Sequence, residues 1–380
     1  MSQINIRNIS NENEDGAPDI VGVSTVSATS YFVPPVGTTA QRPTNPQEGD
    51  LRFNTDSASL EYFRGETVNW EQIEMTSPDL NGGARGLHLG GYTNPGESDV
   101  IDYITISTLG DAIDFGNLLA GIRVNGGCSS RTRGISAGGW TGALSDVIQY
   151  VTISSTGNST DFGNLTLERY NLGGTSSQTR GIFYSGEGSP NSWVNIIDYV
   201  TISSTGNAVD FGDCANMAGQ LGQNNGASNG TRAVIGGSYI SPGVYINTIE
   251  YVTITTTGNF VEFGDLTQAR GRPGSIYNST RGIFTGGFAP AGTNTMDYVT
   301  LSTLGNATDF GDQLYKAANL ATCSSPTRGT AAGGYNPAAP TIINTIGYLQ
   351  ISTTGDLQDF GDLSVARGQT RGISNAHGGL

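Results

Sequence analysis

The chain has 380 residues, 56 of them glycine, and 33 acidic residues against 17 arginines and one lysine, for a net charge of −15. That balance excludes binding to a phosphate backbone, which needs clustered basic side chains, so no nucleic-acid partner is expected. Glycine at this level without a G-X-Y period means many tight turns. No apolar run approaches the roughly 18 residues of a membrane helix, so no membrane insertion is expected either.

The first residues, MSQINIRNISNENEDG, have neither the basic nor the apolar segment of a secretion signal. Residues 1–35 read as an anchoring arm: polar through residue 20, alternating towards a strand over 21–33, and stopped by Pro34-Pro35. Residues 36–80 read as a small three-stranded β module, with strands at 50–54, 60–63 and 70–73 and turns at Thr55-Asp56-Ser57 and Gly65-Glu66. A sheet this small is marginal alone, so it should pack on the rest of the chain or on copies of itself.

Residues 81–380 write one unit six times, and residues 179–213 show it well: TRGIFYSGEGSPNSWVNIIDYVTISSTGNAVDFGD. An anchor arginine recurs at Arg85, Arg133, Arg180, Arg232, Arg281 and Arg328, and a tyrosine at Tyr103, Tyr150, Tyr199, Tyr251, Tyr298 and Tyr348, giving a period of 47 to 52 residues. Such a period belongs to propellers and solenoids, where one unit cannot bury its apolar faces until neighbours stack on it. Each unit holds four short strands: the run after Thr-Arg-Gly, the Tyr-Val-Thr-Ile run, the Asp-Phe-Gly run behind a Ser-Thr-Gly-Asn turn, and a glycine- and serine-rich run such as Leu172-Gly-Gly-Thr-Ser-Ser177. The fold class expected is therefore all-β, a six-bladed β-propeller.

The last residues fix how the repeats should close. Spacing places Ile373-Ser374 on Cys128-Ser129, so 366–380 supply the first strand of a unit whose other three strands are missing, while the first unit lacks such a strand. The C-terminal strand is expected to complete the first blade.

These residues carry a resemblance. The stretch GTTAQRPTNPQEGDLRFNTDSASLEYFRGETVNWEQI resembles a module near the N-termini of tailed-bacteriophage virion proteins, particularly fibre and other appendage proteins of marine and cyanobacterial phages, and the TRGIF…IDYVTIS repeat is similar to repeats in the same phages. More distantly, Gly90-Gly91, Gly138-Gly139, Gly236-Gly237, Gly286-Gly287 and Gly333-Gly334 resemble the diglycine of Kelch blades, although the third unit has Gly186-Glu187 and the Kelch tryptophan is absent. The resemblance implies a virion protein, exposed on the particle, with other virion proteins as partners through residues 1–80, a host-surface glycan or receptor as a further partner, and a homo-oligomeric state in the particle.

The motifs point away from catalysis. Asp-Phe-Gly recurs without the loops of a kinase, and a structural role for its phenylalanine is favoured. The pattern [ND]-x-x-[DE]-F-G-[DN], as at Asp356, Asp359 and Asp362, offers too few oxygens on one face of a strand for Ca²⁺, so turn-capping and pairing with the anchor arginines are expected. Copper chemistry would need histidines, and only His88 and His377 exist. The three cysteines have no metal-ligand spacing; Cys128 and Cys323 stand where another unit has Thr175 and read as small buried residues. No cofactor, metal or catalytic residue is expected, and the protein reads as a non-enzyme.

Loop length supplies the functional signal. With four antiparallel strands per unit, the long, unlike loops fall on one face and the near-identical Ser-Thr-Gly-Asn turns on the other. The loop face carries Tyr92, Trp140, Trp193, Tyr239, Tyr245, Phe288 and Tyr335, the candidate ligand-contacting aromatics. The competing expectation is that they only roof the strand ends; a virion component touching other virion proteins alone, or a glycan-processing propeller enzyme, are the alternative functions.

Overall fold

The computed structural model describes residues 34–380 apart from 57–58, 68, 73–83, 191, 216–225, 241–242 and 337–340, so the expected strand at 21–33 lies outside the described residues. The chain divides into two compact units, Met1–Ser77 and Pro78–Leu380.

The first unit holds a sheet of four strands, where three were expected: Val36–Gly37, Leu51–Asn54, Ser59–Phe63 and Trp70–Gln72, side by side in that order. The added strand runs parallel to Leu51–Asn54, with Val36 opposite Phe53. Two residues behind Pro35 are too short to show a period of two, which is why the pattern missed them. At the centre Glu61 is fully buried and accepts hydrogen bonds from Arg42 (2.6 Å), Arg52 (2.8 Å) and Asn54 (3.0 Å). The Arg42 hydrogen bond holds the Glu61 pKa below the ordinary carboxylate value, against the opposing pull of burial. Trp70 stacks near both guanidiniums, 5.9 Å from Arg42 and 5.8 Å from Arg52.

The second unit is all-β among the described residues: six four-stranded antiparallel sheets and three two-stranded ribbons. Sheet 2 shows the plan, with strands Gly126–Ser129, Arg133–Trp140, Leu144–Thr152 and Thr160–Asn164 paired in sequence order. The first strands of the others are Gly173–Ser176 in sheet 3, Ala227–Ser228 in sheet 4, Gly274–Tyr277 in sheet 5 and Ala321–Ser324 in sheet 6. Sheet 1 takes its first strand, Arg371–Ser374, from the far end of the chain. There Ile373 stands opposite Leu87, as Cys128 stands opposite Ile135 in sheet 2, which is the register that the spacing predicted.

Each first strand packs on that of the next sheet, from 1 through 6, and the sixth packs on the first. Serines stitch them. The hydroxyl of Ser176 donates to the Ser129 carbonyl (2.7 Å), that of Ser129 to the Ser374 carbonyl (2.8 Å) and that of Ser374 to the Ser324 carbonyl (2.8 Å). Neighbouring sheets have no ladder between them here, so side-chain hydroxyls take over its work.

The Asp-Phe-Gly run has a structural explanation. Its Phe is buried in every sheet and packs edge-on against the repeat tyrosine, as Phe162 does on Tyr150 at 5.9 Å. Its Gly, at φ 149° in Gly163, sits at a bulge between the third and fourth strands. A Cβ there would lie 2.4 Å from the carbonyl oxygen of Gly206 in the turn of sheet 3. The Gly206 N–H donates to the Phe162 carbonyl (2.8 Å), and Asn207 Oδ1 caps the Asn164 N–H (3.1 Å). The same contact repeats down to sheet 6, where Gly361 meets Gly110 and Asp111 caps Asp362 in sheet 1.

The first residue of this motif, Asn in four sheets and Asp in two, therefore caps the neighbouring sheet, and the expected pairing of its acids with the anchor arginines is corrected. Each anchor arginine lies over its own repeat tyrosine, as Arg133 does at 4.6 Å from Tyr150, and donates to a carbonyl of the next sheet, as to Ile202 at 3.0 Å. The buried ion pairs use other arginines: Arg169 with Asp198 (2.9 Å), Arg270 with Asp297 (2.8 Å) and Arg367 with Asp102 (3.0 Å). All three cysteines are buried and free, with burial raising each thiol pKa.

Candidate functional site

The two ends of the first strands differ. Where they finish, the segment after Ser374 crosses from sheet to sheet. Buried His377 places Nε2 3.1 Å from the Ser129 carbonyl and 3.4 Å from Ser176 Oγ, and its ring lies 5.3 Å from that of Tyr277. A Cβ on Gly378 would fall 2.1 Å from the Asn278 backbone and one on Gly379 2.2 Å from the Ser176 oxygen, so only glycine fits across this end.

Where the first strands begin, the surface is concave. A cavity of about 830 Å³ is lined by Tyr92, Thr93, Asn94, Arg123, Arg272, Phe288, Asn319, Tyr335, Ile342, Val365, Ala366, Gly368 and Gln369. A second cavity, of about 280 Å³, is lined by Tyr239, Tyr245, Arg272 and Phe288 and so adjoins the first. Such volumes suit a small ligand or one end of a larger one.

Local structure sets these side chains in place. After each second strand a glycine turns into the left-handed region, as Gly138 does at φ 58°, because the carbonyl of the incoming segment lies where its Cβ would be, 2.7 Å away for Arg169 O. In sheet 3 Ser185 takes this conformation instead, at φ 57°. The residues that follow bridge to the segment entering the first strand of their own sheet: Tyr92 to Gly368, Trp140 to Arg123, Glu187 to Tyr170, Phe288 to Gly271 and Tyr335 to Ala318. One residue further on, Val124, Asn171, Arg272, Asn319 and Gln369 all have φ between 53° and 60°. Left-handed backbone at five non-glycine residues costs of order 1 kcal/mol or more each, and here it ends each incoming segment at the concavity.

Of the sequence-chosen aromatics, Tyr92, Phe288 and Tyr335 line the larger cavity, and Tyr239, Tyr245 and Phe288 the smaller. Phe288 and Tyr335 stack with centroids 6.4 Å apart and planes 16° from parallel, and Tyr239 and Tyr245 meet at 5.1 Å. Trp140 and Trp193 line neither cavity. Trp140 packs edge-on against Tyr170 at 5.6 Å, and Trp193 pairs with Glu187 in a two-stranded ribbon. No protein-family model matches this chain, and no curated protein does.

The polar members of the site were not singled out in the sequence. Arg123 lies over the Tyr92 ring at 5.1 Å and pairs with Glu97 at 3.2 Å. Burial lowers the Arg272 pKa, against the raising influence of Tyr245, Tyr170, Tyr239 and Glu187. Tyr170 donates to Glu187 Oε2 (2.6 Å), and burial followed by that bond pushes its pKa up to about 12. A signal existed: Arg123, Tyr170 and Arg272 fall in the short run before a first strand, where the repeats agree least. No group of three metal-ligating side chains occurs among the described residues.

Proposed function

We propose that the six sheets are blades of one six-bladed β-propeller closed by the C-terminal strand, and that the protein is a structural appendage of a tailed-phage virion, displaying this propeller for adhesion to a host-surface glycan or receptor. The observation that carries the adhesion reading is the concavity where the first strands begin, with flat aromatic rings beside amide side chains. The closed series of first-strand contacts supports the propeller, since closure alone removes every sheet edge. The resemblance of the N-terminal module and of the repeat to phage appendage sequences supports the virion setting, with residues 1–80 joining other virion proteins and several copies per particle.

Binding is preferred to catalysis because the described residues that line the cavity offer aromatic rings, amides and guanidiniums and no carboxylate or imidazole. A component touching only virion proteins is the second reading, favoured by how Trp140 and Trp193 cover the strand ends. One pair of variants separates the two. Tyr335→Ala should weaken host-surface binding by about 2 kcal/mol and leave the melting temperature in place. Trp193→Ala should lower stability and leave adsorption intact; adsorption unchanged in both variants would favour the purely structural role.

A further inference from the structure

Charge is distributed at the concavity against the grain of the molecule. The chain carries −15, yet the larger cavity has two arginines in its wall and no acidic residue among the described residues that line it. Arg123 pairs with Glu97 at 3.2 Å and Glu187 acts electrostatically on Arg272, but neither acid lines the cavity.

We propose that this cavity takes an acidic sugar, a pyranose bearing a carboxylate, with the carboxylate at Arg123 and Arg272 and the ring against the stacked Phe288 and Tyr335. This deepens the glycan-adhesion reading and rests on it. A guanidinium offers five N–H donors in a fork that matches a carboxylate. Arg123 gives its Nε–H to Glu97 and approaches Gln369 at 3.5 Å, which leaves donors on its outer edge. Arg272 serves both cavities, beside Tyr239, Tyr245 and Phe288. Both guanidiniums are partly buried, and an incoming anion gains from such cations because surroundings of lowered dielectric strengthen the new attraction. Aromatic faces hold the ring, while Asn94, Asn319 and Gln369 offer amides to hydroxyl groups. A neutral sugar would use the aromatics and the amides alone.

The test is an array of uronic- and nonulosonic-acid oligosaccharides beside their methyl esters and neutral counterparts, probed with the whole protein, then calorimetric titration of the best acid and its ester. The acid should bind about tenfold more tightly than its ester, with the margin shrinking at high salt. Arg123→Gln and Arg272→Gln should each erase the margin while ester binding persists; if Arg272→Gln fails to fold, Arg123→Gln alone decides. Equal binding of acid and ester overturns the acidic-sugar assignment and leaves glycan adhesion standing. Binding to no glycan at all overturns both. Binding of an oligo-aspartate peptide as tight as that of the best acid would show that the site selects carboxylates on protein and not on sugar.

Discussion

His377 and His88 are the residues that tie the stability of this fold to pH. Burial depresses both, His377 to about 4 and His88 to about 3, from an ordinary value of 6.5. Above pH 6.5 both are neutral folded or unfolded, and their contribution to stability is whole. As pH falls below 6.5 the unfolded chain takes up protons that the folded chain refuses, so stability declines until the folded pKa is reached. For His377 this is a loss of about 3 kcal/mol by pH 4. Melting temperature should fall steadily over that window, and His377→Asn should flatten the profile; an unchanged slope in the variant would remove His377 from the account. At the same scale the sequence showed that Asp-Phe-Gly is structural but not why. Its glycine is needed because the carbonyl of the next sheet's turn lies where a side chain would begin, a contact between residues such as Gly163 and Gly206 that no local pattern contains.

Between elements, the repeats hold a covariation that the sequence displays without an alignment. Where the Tyr strand has Asp102, Asp198 or Asp297, the segment entering the same sheet has Arg367, Arg169 or Arg270; where it has Gln149 or Gly347, that place holds Ile122 or Ala317. Reading each repeat as a variant of the others would have found the ion pairs, whereas the anchor arginines drew attention because they never vary. Removing one partner leaves a buried charge alone and should cost about 3 to 5 kcal/mol, so Arg169→Ile or Asp198→Gln singly should lower the midpoint of denaturant unfolding strongly. The double variant, which copies the solution in sheet 2, should recover most of the loss. A double variant as unstable as the sum of the singles would refute the pairing. The strand pairing of sheet 1 was legible because spacing alone sets it. Deleting 366–380 should strip that sheet of its first strand and lower the melting temperature sharply.

For the molecule as a whole, the strands were readable because periodicity and turn residues are local signals. The fourth strand of the small sheet was not, being two residues long. The candidate site was half readable: loop aromatics stand out in a polar sequence, but Arg123 and Arg272 reach the cavity from the least regular part of each repeat. The two compact units predict that removing residues 1–77 leaves a folded, cooperatively melting repeat region, and the virion role proposed above predicts that this region no longer incorporates into particles. Normal incorporation of that truncated chain would place the attachment surface on the repeats.

Sheet 1 draws three strands from 85–117 and its fourth from 371–374. During synthesis, then, the edge of Arg85–Thr93 waits unpaired while five other sheets are translated and folded. For all that time its open ladder can accept the equivalent late strand of a neighbouring nascent chain as readily as its own. Where many ribosomes translate the same message side by side, the competing product is a strand-exchanged dimer, and the yield of correctly joined chains should depend on how far apart the growing copies are kept.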